Sequence, residues 1–306
     1  MTSISFGDNN RGFQVGHNCG SFHAEINLPQ GKTNNPTKIK TRLTNSRCPS
    51  ERPETPPNPL STVPFAHDPD FVCRITLLQS IHEKGSNPGS RIALVGLGGV
   101  GKSQLSIEYS YQIRSESPEI WALWVHVSNK ARFEQSFRDI ADQLKIPSRQ
   151  DPKANIFKLV ESWLRDEYRG KCICILDNVD DDKFLCSLPT AEKGVSITEP
   201  PNASTKPLLE NIPRCRNGSV IITTRSREVA LKIVKHKNLL EVNPMLRSEA
   251  LELLQKTFDQ PEESQESQHL VEELEFMPLS IAQAAGFIRN RAPRYSLSQY
   301  LRLSEE

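Results

Sequence analysis

The sequence lacks a strong excess of charge, because 38 lysine and arginine residues are balanced by 37 aspartate and glutamate residues, for a net charge of +1. This balance favours neither nucleic acid nor an anionic membrane as a partner. No apolar run approaches the roughly 18 residues of a membrane span, and the polar start MTSIS has no apolar signal-peptide centre. The seven cysteines are scattered, without a C-x-x-C pair that would support zinc binding. We therefore expect a cytoplasmic protein with no membrane span and no nucleic-acid partner.

A glycine-rich turn, RIALVGLGGVGKS at residues 91–103, follows a short apolar run. Its spacing fits G-x-x-x-x-G-K-[ST], the phosphate-binding loop of nucleotide-binding proteins. The continuously apolar residues 92–95 predict a buried parallel strand before the loop. The residues that we expect to bind the nucleotide here are Gly96, Gly98, Gly99, Val100, Gly101, Lys102, Ser103 and Gln104.

Each part of this loop has a physical role in holding phosphate. Glycines lack a Cβ, so the backbone N–H groups can approach a phosphate chain closely. A helix that begins near Lys102 directs its positive end at the same phosphates. The Lys102 ammonium would neutralise the β- and γ-phosphate oxygens, and the Ser103 hydroxyl would bind Mg²⁺.

The same glycines also satisfy G-x-G-x-x-G, the fingerprint of dinucleotide-binding folds. That motif needs an acidic residue about 20 or more positions further on, to bind a ribose at the end of the second strand. The second apolar run, residues 120–127, ends in Ser128-Asn129 without an acid. A dinucleotide would also make no use of the adjacent Lys-Ser pair. The sequence therefore favours a phosphate loop over the dinucleotide motif.

Two further strand ends carry charged residues. Asp177 follows the apolar run 172–176 and is the expected second Mg²⁺ residue beside Ser103. Its neighbour Asn178 cannot act as the base that hydrolysis needs; Asp180 and Asp181 could substitute for it, or they could be solvated loop acids. Arg225 follows the strand predicted at 219–224 and is the candidate sensor of the terminal phosphate, because a guanidinium suits that charge.

Composition divides the chain into four parts. Residues 1–27 are rich in Asn and Gly, which favours a disordered tail, with a self-stacking β-arch as the alternative. Residues 28–63 form a disordered proline-rich linker. Residues 64–243 alternate predicted strands and amphipathic helices, which specifies an α/β fold with a parallel sheet covered on both faces. Residues 244–306 are helical, and residues 187–217 are read as an inserted loop.

With these motifs in place, residues 64–303 resemble the NB-ARC group of STAND nucleotide switches. The matching segments are GLGGVGKS (96–103), WALWVHVS (121–128), CICILDNVDD (172–181), GSVIITTRS (218–226), the helical start from residue 243 and FMPLSIAQAA (276–285). The resemblance implies a P-loop NTPase sheet of five strands in the order 5-1-4-3-2, followed by a helical ARC subdomain. It also implies that ADP or ATP binds with Mg²⁺.

The resemblance assigns further roles residue by residue. Asp177 and Arg225 match the Mg²⁺-binding acid and the sensor arginine, and Pro278 matches the proline of the GLPL motif, which packs near adenine. Val72 and Arg74 lie where relatives carry a turn that touches the base, although Cys73 replaces the glycine usual there. Asn178 departs from the second acid of the family, so we expect at most a slow ATPase.

The N-terminal ISFGDNNRGFQVGHNCGSFHAEINLP resembles the prion-like signalling motif of SesB or sigma type in fungal death-pathway proteins. Residues 1–27 would then contact an effector protein by templating its assembly. The family also continues into a winged helix and ligand-sensing repeats, so we expect either a truncated form or a naturally short one. The predicted function is a nucleotide-operated signalling switch that self-associates on activation. A catalytic P-loop ATPase or kinase is the alternative, and an interaction protein that binds no nucleotide is a third reading.

Overall fold

The structure, a computed structural model, describes residues 57–166, 169–180, 215, 217–258, 264–291 and 296–304. The predictions for residues 1–27, for the linker up to residue 56 and for most of the insert at 187–217 lie outside these residues, as does Asp181. None of the helices in the described ranges is long and apolar enough to cross a membrane.

The core of the described chain is a five-stranded parallel sheet. The strands occur in the order β2-β3-β4-β1-β5, and every neighbouring pair runs parallel. Read from the other edge, this is the order 5-1-4-3-2, so the predicted fold class is confirmed. The strands are β1 (Ser90–Val95), β2 (Trp121–His126), β3 (Cys172–Asp177), β4 (Gly218–Thr224) and β5 (Leu239–Glu241).

Helices cover both faces of this sheet, as the unbroken apolar strands require. The helices that flank the sheet are α1 (Ile75–Gly85), α2 (Lys102–Glu116), α3 (Lys130–Gln143), α4 (Ile156–Arg165) and α5 (Arg227–Ile233). Side chains alternate across β1: Ile92 and Leu94 pack on the face that carries α1 and α2, whereas Ala93 and Val95 pack on the face of α3, α4 and α5.

Polar caps fix where the helices on one face begin. The side chains of Asn129, Asn155 and Ser226 accept hydrogen bonds from the third backbone N–H that follows, at the starts of α3, α4 and α5. Sequence periodicity extends α4 to about Gly170, but the helix ends at Arg165. The next residue, Asp166, has ψ 111° and therefore leaves the helical conformation.

The strand order separates the two readings of the glycine-rich turn. In the dinucleotide-binding fold, the first strand lies beside the second. Here β1 pairs with β4 and β5 instead, while β2 lies at the edge of the sheet beside β3. Asn129, which sits where a ribose-binding acid would be expected, caps α3. The topology therefore agrees with the phosphate-loop interpretation.

A helical region follows the sheet and has its own apolar core. It consists of α6 (Arg247–Phe258), α7 (Gln265–Glu273), α8 (Pro278–Arg291) and α9 (Leu297–Ser304). Leu251, Leu270 and Ile281 are buried together between these helices. The core also receives Val72, which comes from the segment before α1. That segment thus contributes to both the sheet and the helical region.

The stretch before α1 also covers the outer edge of the sheet. Ser61 forms a parallel bridge with Ala122 of β2, and the hydroxyl of Thr62 accepts a 2.8 Å hydrogen bond from the Trp124 N–H. Further along, Phe65 packs edge-on against the Trp124 ring, with centroids 5.6 Å apart. Part of the proline-rich stretch assigned to the linker therefore pairs with the edge strand β2. Prolines, which have no backbone N–H to donate, are tolerated at the edge of a sheet.

Candidate nucleotide-binding site

The charged residues singled out in the sequence gather at one edge of the sheet. Gly96 follows β1, Asp177 ends β3 and Arg225 follows β4. The carboxyl ends of parallel strands meet at the same edge, which is where open α/β sheets bind their ligands. The structure therefore brings the phosphate loop, the candidate metal acid and the candidate sensor arginine together.

A close contact explains one glycine of the loop, and the backbone conformation explains another. A Cβ on Gly96 would lie 2.2 Å from the carbonyl oxygen of Val242, so no side chain fits there. Gly101 has φ +93°, a left-handed conformation that favours glycine, and it directly precedes α2. The chain can therefore turn from β1 into α2 within a few residues and present the helix start to the loop.

Lys102 is buried at the beginning of α2. Its ammonium donates hydrogen bonds to the carbonyl oxygens of Gly96 at 2.8 Å and of Leu97 at 2.7 Å. Burial lowers the pKa of Lys102; Asp180 opposes this shift, Arg225 adds to it, and Asp177 opposes it. The cation therefore lies inside the loop and is held by backbone dipoles of the loop itself.

Ser103 and Asp177 are in direct contact. The Ser103 hydroxyl donates a 2.6 Å hydrogen bond to Oδ1 of Asp177. The buried Thr223 hydroxyl donates to the same oxygen at 2.8 Å and accepts the backbone N–H of Asn178 at 2.9 Å. Two hydroxyls and a carboxylate thus meet beside the loop, and oxygen ligands of this kind are those that Mg²⁺ prefers.

Arg225 lies against the loop but is bound to Asp180. Its Nε donates to Oδ2 of Asp180 at 2.6 Å, and its backbone N–H donates to Oδ1 at 2.6 Å. A Cβ on Gly98 would lie 3.7 Å from Cδ and 3.9 Å from Nη1 of Arg225. The guanidinium is therefore beside the phosphate loop, and both oxygens of Asp180 are used in holding it there.

Two residues that were predicted to bind the nucleotide, Val100 and Gln104, have side chains that are engaged elsewhere. Val100 is fully buried in the core under α1 and α2, so only its backbone can face a ligand. The Gln104 side chain donates a 3.1 Å hydrogen bond to Oε1 of Glu108, one turn further along α2. Any contribution of these two residues to phosphate binding would come from backbone N–H groups.

Arg74 joins three parts of the molecule. Its guanidinium donates to the carbonyl oxygens of Val100 at 3.5 Å, Asn243 at 2.9 Å and Pro244 at 3.1 Å. Its Nε lies 3.3 Å from a carboxylate oxygen of Glu249 in α6. Burial lowers the pKa of Arg74, and Glu249 opposes that shift. By contrast, Val72 is enclosed in the core of the helical region.

Pro278 lies next to the phosphate loop, at the first position of α8. This position suits proline because its N–H is not needed there. A Cβ on Gly101 would lie 4.0 Å from Cγ of Pro278. The next residue, Leu279, donates its backbone N–H to the carbonyl oxygen of Gly99 at 3.2 Å. The GLPL-like segment therefore lies beside the loop and is bonded to it through the backbone N–H of Leu279.

Sequence reasoning did not identify Thr223 and Leu279 as parts of the site. Thr223 could have been found from strand order, because the parallel register pairs Leu176 with Ile222 and so places Thr223 beside Asp177. Leu279 contributes only a backbone N–H and an exposed side chain. No residue-type signal marks such a contact.

The region that contains the phosphate loop is similar to known proteins. Residues 76–198 match the NB-ARC domain. The match includes the phosphate loop and Asp177, whereas Arg225 and Pro278 follow it. A nucleotide-binding leucine-rich repeat (NLR)-like protein of Hyaloscypha variabilis is 29% identical over 252 residues, which cover 80% of this chain and 24% of the relative. These similarities support an NB-ARC-type P-loop domain.

More distant similarities were also found. Disease resistance RPP13-like protein 4 of Arabidopsis thaliana is 24% identical over 206 residues, covering 64% of this chain and 22% of the plant protein. The chain thus spans about a quarter of the length of each curated relative. Among solved structures, a STAND protein with a tetratricopeptide repeat sensor from Pyrococcus horikoshii has a TM-score of 0.44 at 18% identity, covering 71% of this chain and 30% of that one. Cdc6p of Pyrobaculum aerophilum has a TM-score of 0.47 at 15% identity, covering 74% and 64%.

Proposed function

We propose that this chain is the ADP- or ATP-binding switch module of a STAND signalling protein. The observation that carries the proposal is the contact between Ser103 and Asp177, whose side-chain oxygens lie 2.6 Å apart directly beside a complete phosphate loop. The NB-ARC match over residues 76–198 supports the same assignment. The resemblance to fungal death-pathway proteins, together with the name of the Arabidopsis relative, a disease resistance protein, suggests an immunity-like or cell-death signalling role.

The roles of the residues follow from their positions. Backbone N–H groups between Gly96 and Ser103 would surround the phosphates, at the positive end of α2. Lys102 would exchange its bonds with loop carbonyls for bonds with phosphate oxygens. The Ser103 hydroxyl and the Asp177 carboxylate fit Mg²⁺ as hard oxygen ligands, and Mg²⁺ bound there would neutralise phosphate charge.

The site favours binding and slow turnover over rapid catalysis. A hydrolytic base must reach the attacking water. Asn178 cannot serve, and it has φ +64°, the left-handed conformation that asparagine tolerates. Both oxygens of Asp180 are occupied by Arg225. We therefore expect turnover at about 10⁻⁴–10⁻² s⁻¹, as in intrinsic nucleotide switches, and not the roughly 1–100 s⁻¹ of kinases.

A switch also needs a difference in binding between two conformations. Moving a population from 1:99 to 99:1 takes about 5.5 kcal/mol of differential affinity. We propose that ADP stabilises a closed arrangement of the sheet and the helical region, and that ATP favours an open form that self-associates. The contacts of Arg74 and Leu279, which link loop and helices, support this coupling.

The test is to identify the nucleotide that co-purifies with the full chain. Wild-type protein should retain ADP or ATP after desalting, and Lys102→Ala should lose most of it, because the variant removes the buried cation of the loop. Lys158→Ala, an exposed lysine of α4, is the matched control and should retain nucleotide like the wild type. Equal trace amounts in wild type and Lys102→Ala would refute the proposal.

We further propose that residues 1–27 act as a prion-like segment that templates an effector protein when chains assemble. The support is the Asn- and Gly-rich composition and the resemblance to fungal signalling motifs. A synthetic peptide of residues 1–27 should form fibres with the 4.7–4.8 Å cross-β reflection. A peptide that stays monomeric under seeding would rule this out without affecting the nucleotide proposal.

A further inference from the structure

We propose that Asp180 is the positioning residue that sets the preference of this site for a nucleoside triphosphate over a diphosphate, because it holds Arg225 beside the phosphate loop. The inference rests on the proposed nucleotide-binding function and deepens it. It also gives a role to an acid that sequence reasoning left open between a substitute base and a solvated loop residue.

The geometry of the pair is specific. Asp180 accepts hydrogen bonds from Nε and from the backbone N–H of Arg225, at 2.6 Å each. The backbone and the guanidinium of Arg225 are thus both held by one carboxylate. Thr224 approaches the same carboxylate, with its hydroxyl 3.4 Å from Oδ1. The Asp180 side chain is 18% exposed, whereas that of Arg225 is 62% exposed. A largely enclosed anion therefore anchors a largely accessible cation.

The bond between Asp180 and Arg225 leaves Nη1 and Nη2 of the guanidinium able to bind a phosphate. Asp180 takes Nε, and no described residue accepts a hydrogen bond from Nη1 or Nη2 of Arg225. Nη1 lies on the side of Gly98, close to the position where a Cβ of that glycine would be. A guanidinium that is fixed through Nε can still present two parallel donors to a phosphate.

Asp180 also interacts electrostatically with Lys102 of the phosphate loop. Burial lowers the pKa of Lys102, and among the charged groups Asp180 opposes that shift most strongly. The acid thus lies near both cations that would face phosphate. Both of its oxygens accept hydrogen bonds from Arg225, so we assign it the role of orienting that arginine. The terminal phosphate is the group that only the triphosphate has, so loss of this orientation should affect ATP selectively.

The test is the affinity of the full chain for Mg-ATP and Mg-ADP, measured with fluorescent analogues of both nucleotides. In Asp180→Asn, the amide NH₂ replaces one of the two acceptors, so either Nε or the backbone N–H of Arg225 loses its partner. We expect the dissociation constant for ATP to rise roughly tenfold, the effect of weakening one charge-assisted hydrogen bond, and that for ADP to stay within about twofold. Asp139→Asn is the matched control, since Asp139 is an exposed acid on α3.

Arg225→Lys is the second variant and does not depend on the stability of Asp180→Asn. Lysine can keep the ion pair with Asp180, but its three donors lie on one nitrogen and cannot reproduce the planar pair of guanidinium donors that faces phosphate. It should lose the ATP preference, and adding Asp180→Asn to it should cause no further loss, because both act through one contact.

The outcomes separate this inference from the proposed function. Equal loss of ATP and ADP affinity in Asp180→Asn, no loss at all, or additive losses in the double variant would overturn the positioning role while nucleotide binding stands. A wild-type chain that binds neither nucleotide would overturn the proposed function, and the positioning role would fall with it.

Discussion

Gly96 offers a sharp test of how the phosphate loop is packed. It follows β1 directly, and a Cβ there would lie 2.2 Å from the carbonyl oxygen and 3.2 Å from the carbonyl carbon of Val242. Real Cβ atoms essentially never approach within 3.0 Å of another heavy atom. The obstacle is backbone, which cannot rotate away as a side chain can. Gly96→Ala must therefore displace either the loop or the chain after β5.

The cost of that displacement can be worked from known contributions. Forcing an extra methyl group into a packed site costs about 1–3 kcal/mol. The shift also disturbs the 2.7 Å hydrogen bond from the Val242 N–H to the Val95 carbonyl oxygen, which contributes roughly 1 kcal/mol. We expect a loss of about 2–4 kcal/mol in the free energy of unfolding, which lowers Tm by roughly 4–16 °C for a domain of this size.

The assay is thermal unfolding followed by circular dichroism, with Gly286→Ala as the control. Gly286 lies within α8, and a Cβ there would meet nothing within 4 Å. Alanine should therefore stabilise that helix, by about 0.5–1 kcal/mol. If Gly96→Ala melts within a degree of wild type, the close approach of the loop to Val242 is wrong.

Two further predictions concern buried titratable groups. Burial, with a smaller effect of Glu116, raises the pKa of Tyr109 to about 12. A tyrosine in the unfolded chain ionises near pH 10. The contribution of Tyr109 to the free energy of unfolding is therefore fully present below pH 10 and is lost as the pH rises towards 12. Tyr109→Phe should flatten the fall of Tm between about pH 10 and 12, and an unchanged slope would contradict this. The second prediction concerns the cysteines: Cys73 is exposed, whereas Cys174 and Cys215 are buried. Burial raises the pKa of the Cys174 thiol. A hydrogen bond with Cys172, together with burial, raises the pKa of the Cys215 thiol. In the folded protein, N-ethylmaleimide should therefore modify Cys73 at least about tenfold faster than Cys174 and Cys215, as measured by mass spectrometry of peptides, and equal rates would refute the burial.

The sheet could be predicted from sequence because each strand is a short apolar run bounded by turns. The runs at 92–95 and 172–176 appear in the structure at nearly the same bounds. The strand order was taken from the family resemblance and not from periodicity. Hydrophobic patterns identify strands and helices, but they do not state which strands become neighbours. The glycine-rich loop was the motif specific enough to favour the P-loop strand order over that of a dinucleotide-binding fold.

The site was predictable where a residue acts through its own chemistry. Ser103 and Asp177 were paired from sequence, and their side chains are in contact. The contacts of Asp180 could not be foreseen, because a loop acid has the same appearance whether it is solvated or bound to an arginine 45 residues away. The hydrogen bond from Leu279 to Gly99 is a backbone contact, and backbone contacts leave no signature in residue type.

The helical region is tied to the phosphate loop at two successive carbonyl groups. Gly99 accepts the N–H of Leu279 at the start of α8, and Val100 accepts a hydrogen bond from Arg74, which also binds the carbonyls of Asn243 and Pro244 before α6. The Gly99 carbonyl shares its peptide unit with the Val100 N–H, the Val100 carbonyl shares one with the Gly101 N–H, and a peptide unit rotates as one plane. A rotation that re-aims such an N–H at a phosphate therefore also moves the carbonyl of the same peptide unit, and with it a bond to the helical region. The loop and the helical region are thus linked directly, through the backbone hydrogen bond of Leu279 and through the Arg74 side chain, at the place where a change in phosphate number would act.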